Sequence, residues 1–223
     1  MRLPTTGVRL CIAVLVLALL VSACDERFER RMPNDVQPKP GATIDAALLV
    51  QLDLLQVAPA NTTVKYDRKQ WRHWTDDDKD CLNTRHEVLE SESLVPVTYT
   101  SSKCAVASGR WLGQFTGKIY ESSRSLDVDH MVPLANAHRS GGWAWDSEKK
   151  ETYANDMSTE EHLISVSSSA YRTKSDRGPD LWKPKNVGYH CQYAKDWIGI
   201  KGRWELTITS LEKTALQEML SMC

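Results

Sequence analysis

Residues 127–138 read Asp127-Val128-Asp129-His130-Met131-Val132-Pro133-Leu134-Ala135-Asn136-Ala137-His138, and this run limits the local geometry more tightly than any other part of the chain. Leu126, Val128 and His130 alternate with Asp127 and Asp129, the period-two pattern of a strand. Pro133 lacks a backbone donor and closes that strand three residues after His130. Asp129 and His130 therefore sit together at a strand end. A carboxylate beside an imidazole of pKa near ~6.5 supplies a metal ligand and a base at one place. The pairing suits hydrolysis of a phosphodiester, in which a cation neutralises phosphate charge while the imidazole takes a proton from water. For the dipeptide alone, an Asp that orients a structural His is the more common reading. The surrounding residues shift that balance.

The first residues carry a processing signal. Arg2 and Arg9 precede an apolar stretch over 11–20, followed by Val21-Ser22-Ala23-Cys24. This ending resembles a bacterial lipobox, which implies a lipoprotein signal peptide over 1–23 and a lipid on Cys24. A lipid there would tether the chain to a membrane without spanning it. The implied place is outside the cytoplasm, anchored to the bacterial cell envelope on its periplasmic or outer face. An ordinary secretory signal and an uncleaved membrane anchor are the alternatives. Cys81, Cys104, Cys191 and Cys223 remain once Cys11 and Cys24 are set aside, and an even number in an exported chain points to disulfides. Pairing Cys81 with Cys104 and Cys191 with Cys223 closes the two shortest loops, and the second bridge fastens a C-terminus that otherwise frays. A zinc site lacks any C-x-x-C spacing to support it. The formal net charge of −1 becomes more negative once Arg2 and Arg9 are removed, so no global basic field advertises nucleic-acid binding. Local Arg and Lys suffice for an enzyme with little sequence preference.

Residues 24–60 read as the lipidated Cys, a charged and Pro-rich tether, and a leading helix over 46–55 opened by Thr43-Ile44-Asp45. Residues 61–223 are long enough for one domain with a real core. The acidic run Asp76-Asp77-Asp78-Lys79-Asp80 lacks the glycine and terminal Glu of an EF-hand loop and reads as solvated. A helix is predicted over 83–89, strands over 95–100, 109–112 and 117–120, and a helix over 147–155. An apolar stretch follows at 162–166, then a polar segment at 172–176. The pattern continues with a helix over 191–200, a strand over 204–208, and a last helix opened by the capping box Thr209-Ser210-Leu211-Glu212. That helix would bury Leu211, Ala215, Met219 and Leu220. The eight tryptophans read as core or wall.

With these pieces placed, the chain from about Tyr66 to Cys223 resembles secreted HNH endonucleases of the GmrSD C-terminal type. The carriers are the stretch 80–89, the run 127–141 that opens on Asp127, Tyr153-Ala154-Asn155-Asp156, His162-Leu163-Ile164-Ser165-Val166, Lys174-Ser175-Asp176 and Trp182-Lys183-Pro184. The resemblance implies an α+β fold in which a ββα-metal catalytic element, a hairpin followed by a helix, is embedded in a single disulfide-stapled domain. It further implies one divalent cation, Mg²⁺ first, with Mn²⁺ and then Zn²⁺ behind it. Asp129 matches the family's metal ligand and His130 its general base. His162 stands where a residue, usually Asn, steadies the catalytic His, and a satisfied structural His is the equal alternative. Asp127 is a supporting residue or second ligand. Arg139, Arg172 and Lys174 are candidates for backbone phosphate contacts.

The sequence departs from the family at Tyr171, where the pattern carries an Asn whose amide oxygen completes the metal site. A neutral phenol with pKa near ~10 is a poor Mg²⁺ ligand. Asp127, Ser168, Ser169, Asp176 or water could supply the oxygen; otherwise the protein is weak or inactive. The reading is metal-dependent hydrolysis of nucleic acid, DNA first, with little sequence preference. Two others stay open. One is a catalytically impaired lipoprotein of the same fold that binds nucleic acid or a protein partner; the other is a zinc hydrolase using Asp129, His130 and His138.

Overall fold

The computed structural model describes residues 46–223, a single mixed α/β domain with two disulfides. The signal, lipidation and tether expectations, Cys11 and Cys24 included, lie outside these residues. No helix among the described residues is long and apolar enough to cross a membrane.

Helix α1 (Ala46–Leu54) buries Leu52 against the main core. The segment after it hydrogen-bonds to the far end of the chain, through Ala58 N to Ile208 O and Ile208 N to Gln56 O. Helix α2 (Thr84–Ser91) starts where Asn83 caps it, the Asn83 side chain accepting from His86 N, and it buries Val88 and Leu89. Strands β1 (Thr98–Tyr99), β2 (Val106–Gly113) and β3 (Lys118–Ser122) form an antiparallel sheet in chain order. The Cys81–Cys104 bridge joins the start of α2 to the β1–β2 turn, and Cys191–Cys223 ties the C-terminus to a helix, both as the spacing predicts.

Strand β4 (Leu126–His130) coincides with the alternating run and pairs antiparallel with β5 (Leu163–Ser167). Asp129 lies opposite Ile164 and His130 opposite Leu163. Between them the chain makes α3 (Leu134–Arg139), which starts after Pro133, and α4 (Ser147–Ala154), capped by Asp146. Helix α5 (Ser168–Lys174) follows β5 directly and packs on both strands. The residues alone read 172–176 as a polar segment. The Ser167 side chain nevertheless accepts from Ala170 N and caps a full turn of helix, which burial of Ala170 and Lys174 then holds.

Helices α6 (His190–Arg203) and α7 (Ser210–Leu220) close the main core around Trp197, Ile198, Leu216 and Met219. The capping box at Thr209 and Glu212 forms as read. Two expectations fail here. Leu211 is 66 % exposed, and Leu216 takes the inward place, because the box turns Glu212 rather than Leu211 towards the domain. The predicted strand over 204–208 is absent. Trp204 ends α6 and Glu205 turns the chain at φ +53°, so only Ile208 makes a bridge, parallel to Val57.

Buried Lys201 explains that turn. Its Nζ donates to Asn136 Oδ1 at 2.7 Å, Ser140 Oγ at 2.6 Å and Thr207 O at 2.9 Å, so the chain after α6 must fold back over it. A second, smaller apolar cluster lies between α2, β2 and β4, built from Val88, Leu89, Val106, Trp111, Leu126 and Val128. β4 thus turns Leu126 and Val128 into this cluster and leaves Asp127 and Asp129 for the other face.

Candidate active site

The order β4, β5, α5 brings the last residue of α5 back to the end of β4. Lys174 Nζ sits 2.7 Å from Asp129 Oδ2 and donates to His130 O at 3.0 Å. Both side chains are almost wholly enclosed, at 0 % and 4 % exposure. Burial pushes the Asp129 carboxyl up to about 6, against the charge of Lys174, which pulls it down; the like charge of Asp127 adds to the rise. Burial also lowers the Lys174 ammonium, which Asp129 opposes. The phosphate role expected for Lys174 does not match this position. A fully enclosed ammonium bonded to Asp129 and a main-chain oxygen fixes the carboxylate and offers no surface to a substrate.

His130 is held from one side. Its Nε2 lies 2.9 Å from Ala154 O, at the C-terminal end of α4. A carbonyl only accepts, so Nε2 carries the hydrogen and Nδ1 is the unprotonated nitrogen. Burial keeps the ring well below the ordinary imidazole range, with His162 and Arg68 acting in the same direction. The ring is therefore neutral near pH 7, with its lone pair on Nδ1. Trp74, at φ +61°, lies over it with centroids 5.5 Å apart and planes at 29°.

His162 repeats the device one residue earlier, its Nε2 donating to Tyr153 O at 2.8 Å. Its Nδ1 faces Asp156 Oδ2 at 3.7 Å, and burial brings its pKa down to about 4 although Asp156 opposes the shift. The two rings stand edge to face at 6.3 Å without touching through polar atoms. What steadies His130 is the α4 carbonyl. His162 acts on the same helix end, holding the neighbouring carbonyl.

Asp129 and His130 border an open cleft of about 430 Å³, together with Tyr171, Arg172, Asp176 and two residues the sequence reading did not single out, Tyr66 and Arg68. Nothing in the spacing pointed to Arg68, which stands on a turn some sixty residues before the motif and meets it only in the folded chain. Tyr171 does occupy the cleft, as its alignment with the family implies. Arg172 is exposed at the rim. Arg139 is differently placed: its guanidinium grips Asp176 through Nη1 to Oδ2 and Nη2 to the main-chain oxygen, both at 2.9 Å, which ties α3 to the turn after α5. Asp176 is thereby held as Arg139's partner. Asp127 is half-buried on the Asp129 face but does not border the cleft. Ser169 Oγ shares a 3.3 Å contact with the capping Ser167 Oγ.

His138 does not join this group. It is buried beneath Tyr66 and Trp71, with Nε2 donating to Val64 O at 3.0 Å. Among the described residues, Asp76, Asp78 and Asp80 are the one set of three His, Cys, Asp or Glu whose ligand atoms fall within 4.8 Å of each other, and all three are exposed. A zinc centre from Asp129, His130 and His138 has no geometric support.

Residues 83–219 match the family described as GmrSD restriction endonucleases, C-terminal domain. The chain is also 36 % identical over 191 residues to a protein of Arthroderma benhamiae named an uncharacterized secreted protein, which covers 86 % of this chain and 92 % of that one. No solved structure matches.

Proposed function

The chain belongs to the GmrSD restriction endonuclease C-terminal domain family, and on that premise we propose that it is an exported endonuclease of the HNH type, hydrolysing phosphodiester bonds of nucleic acid, DNA first. The observation that carries the reading is the orientation of His130. Its Nε2–H is committed to Ala154 O, and its free Nδ1 belongs to a ring that borders one cleft with Asp129 and two guanidinium groups. β4, β5 and α5 have the order and contacts of a ββα element, which supports the HNH assignment.

A divalent cation fits the donor set in one way. Asp129 Oδ2 is ion-paired with Lys174 at 2.7 Å without a well-aligned hydrogen bond, so Asp129 would hold the ion chiefly through its other oxygen. Mg²⁺ keeps several waters and needs only one or two carboxylates, which suits it and Mn²⁺ better than Zn²⁺. When bound, such an ion neutralises charge on the phosphate and on the leaving oxygen. His130 takes the proton of the attacking water at Nδ1, while Ala154 O stabilises the imidazolium that forms. Arg172 at the rim contacts a flanking phosphate. Lys174 keeps Asp129 in one rotamer and limits the negative charge buried there. Two disulfides and the secreted relative support export, and Cys24 is the proposed lipid anchor to the envelope.

Tyr171 in the cleft and the Lys174 cap on Asp129 favour one second reading, a chain that retains the fold and binds nucleic acid without cutting it. Single-turnover cleavage and equilibrium binding of one labelled duplex separate the two. The enzyme loses cleavage with EDTA and with His130→Ala. A binder shows no cleavage under any condition and keeps its affinity after both.

A further inference from the structure

Three other arginines are committed to carboxylates: Arg72 to Glu151, Arg139 to Asp176, and Arg203 to Glu161 and Asp156. Arg68 is not. It makes no ion pair among the described residues, although it borders the cleft of Asp129 and His130 and lies near enough for its charge to act on both.

The way Arg68 is delivered is specific. Asp67 caps a 3-10 turn over Arg68–Gln70, its Oδ1 accepting from Lys69 N at 2.9 Å. Trp71 N closes the turn on Arg68 O at 3.0 Å, and the fully buried Trp71 ring anchors it against Tyr153 of α4. Arg68 Nη2 then donates to His73 Nε2 at 3.2 Å. That nitrogen is an acceptor because His73 Nδ1–H donates to Trp71 O at 2.8 Å. A neutral imidazole orients the guanidinium and leaves its charge uncancelled. Beside it the enclosed Tyr66 hydroxyl lies close enough for the Arg68 charge to act on it.

We propose that Arg68 holds the scissile phosphate against His130, and that His73 is the positioning residue for this clamp. The ligand chemistry is a phosphodiester anion. The inference rests on the nuclease reading and adds to it a catalytic group from outside residues 83–219, the segment matched to the family. A planar guanidinium pairs two phosphate oxygens at once, which a lysine at the same place does not.

The test uses the full exported chain and a fluorescein-labelled duplex of mixed sequence. Anisotropy in EDTA gives affinity as a function of salt, and cleavage in Mg²⁺ gives kcat and KM. Wild type is compared with Arg68→Ala, Arg68→Lys and, as a remote exposed control, Lys118→Ala. Arg68→Ala should weaken binding about tenfold, lower the log–log salt slope by about one, and reduce kcat about 100-fold. Arg68→Lys should recover the salt slope but not kcat, a split that a merely structural role does not produce. Lys118→Ala should match wild type. If wild type cuts and Arg68→Ala binds and cuts within twofold of it, the clamp is wrong and the nuclease reading stands. If wild type neither binds nor cuts, both are wrong.

Discussion

Removing the ammonium that caps Asp129 is the sharpest perturbation the site allows. Lys174→Met keeps the length and the apolar stem but deletes the 2.7 Å contact to Asp129 Oδ2 and the 3.0 Å bond to His130 O. The carboxyl then has no charge partner in an enclosed place, and it escapes by taking a proton. Asp129 sits at about 6 in the folded chain, so its charged form already costs about 3 kcal/mol at pH 7 against the ordinary 3.8. Taking the proton costs about 4 kcal/mol, at 1.36 kcal/mol per unit, so the carboxyl adds only about 1–1.5 kcal/mol when Lys174 is lost. With the lost main-chain hydrogen bond, Lys174→Met should lower the unfolding free energy by about 2–4 kcal/mol at pH 7. At pH 5 folded wild type already carries the proton on Asp129, so the carboxyl's share vanishes and the destabilisation should shrink by about 1 kcal/mol. Asp129→Asn should also destabilise, since it leaves the ammonium unpaired. The double variant should be more stable than additivity requires by about 1 kcal/mol or more. Urea unfolding in EDTA, followed by tryptophan fluorescence with the disulfides intact, measures all four corners of the cycle. Additive losses with no pH dependence would falsify the picture of one enclosed, mutually neutralising pair.

Other outcomes follow from the same geometry. Tyr171→Asn restores the carboxamide of the family pattern and should lower the Mg²⁺ concentration needed for half-maximal cleavage about tenfold; an unchanged cation titration sinks that expectation. Glu92 accepts from Ser165 N at 2.7 Å, and burial raises its carboxyl to about 7. The folded state therefore holds this proton more tightly than the unfolded chain. The resulting stabilisation is complete below about pH 4.5 and is lost as pH rises through 7, with about 3 kcal/mol involved. Glu92→Gln should flatten the pH dependence of urea unfolding across that window, and an unaltered slope counts against it. The Cys191–Cys223 bridge closes 32 residues, so replacing both with Ser should cost about 4 kcal/mol by chain entropy and expose the end of α7 to proteolysis. Equal midpoints for the oxidised wild type and the double Ser variant would show the bridge to be idle.

What the sequence disclosed depended on how local the deciding physics is. The strand over 126–130 was legible because alternation and Pro133 act within a few residues. The capping box at Thr209 and Glu212 and both disulfides were legible for similar reasons, being matters of short spacing and loop closure. The strand expected over 204–208 failed because a buried lysine 65 residues from its partner Asn136 dictates the turn there. Helix α5 was obscured by its serines, which cap in this context instead of breaking. Within the site, Asp129 and His130 could be found from one dipeptide and its neighbours. The fate of the cations could not. Lys174, Arg139 and Arg172 are similar in sequence, yet one is enclosed, one is paired to Asp176 and one is free. Arg68 carried no sequence signal because its approach to His130 is made by the anchoring of Trp71 on α4.

The most direct measurement is nicking of supercoiled plasmid by the purified, oxidised chain in Mg²⁺ and in Mn²⁺, with His130→Ala and EDTA in parallel. Nicking that needs the cation and falls by about 10² or more in His130→Ala is the expected result, since general base catalysis contributes about 10²–10⁴. Plasmid left intact by wild type, or nicked equally by His130→Ala, contradicts the assignment of this cleft as a nuclease centre.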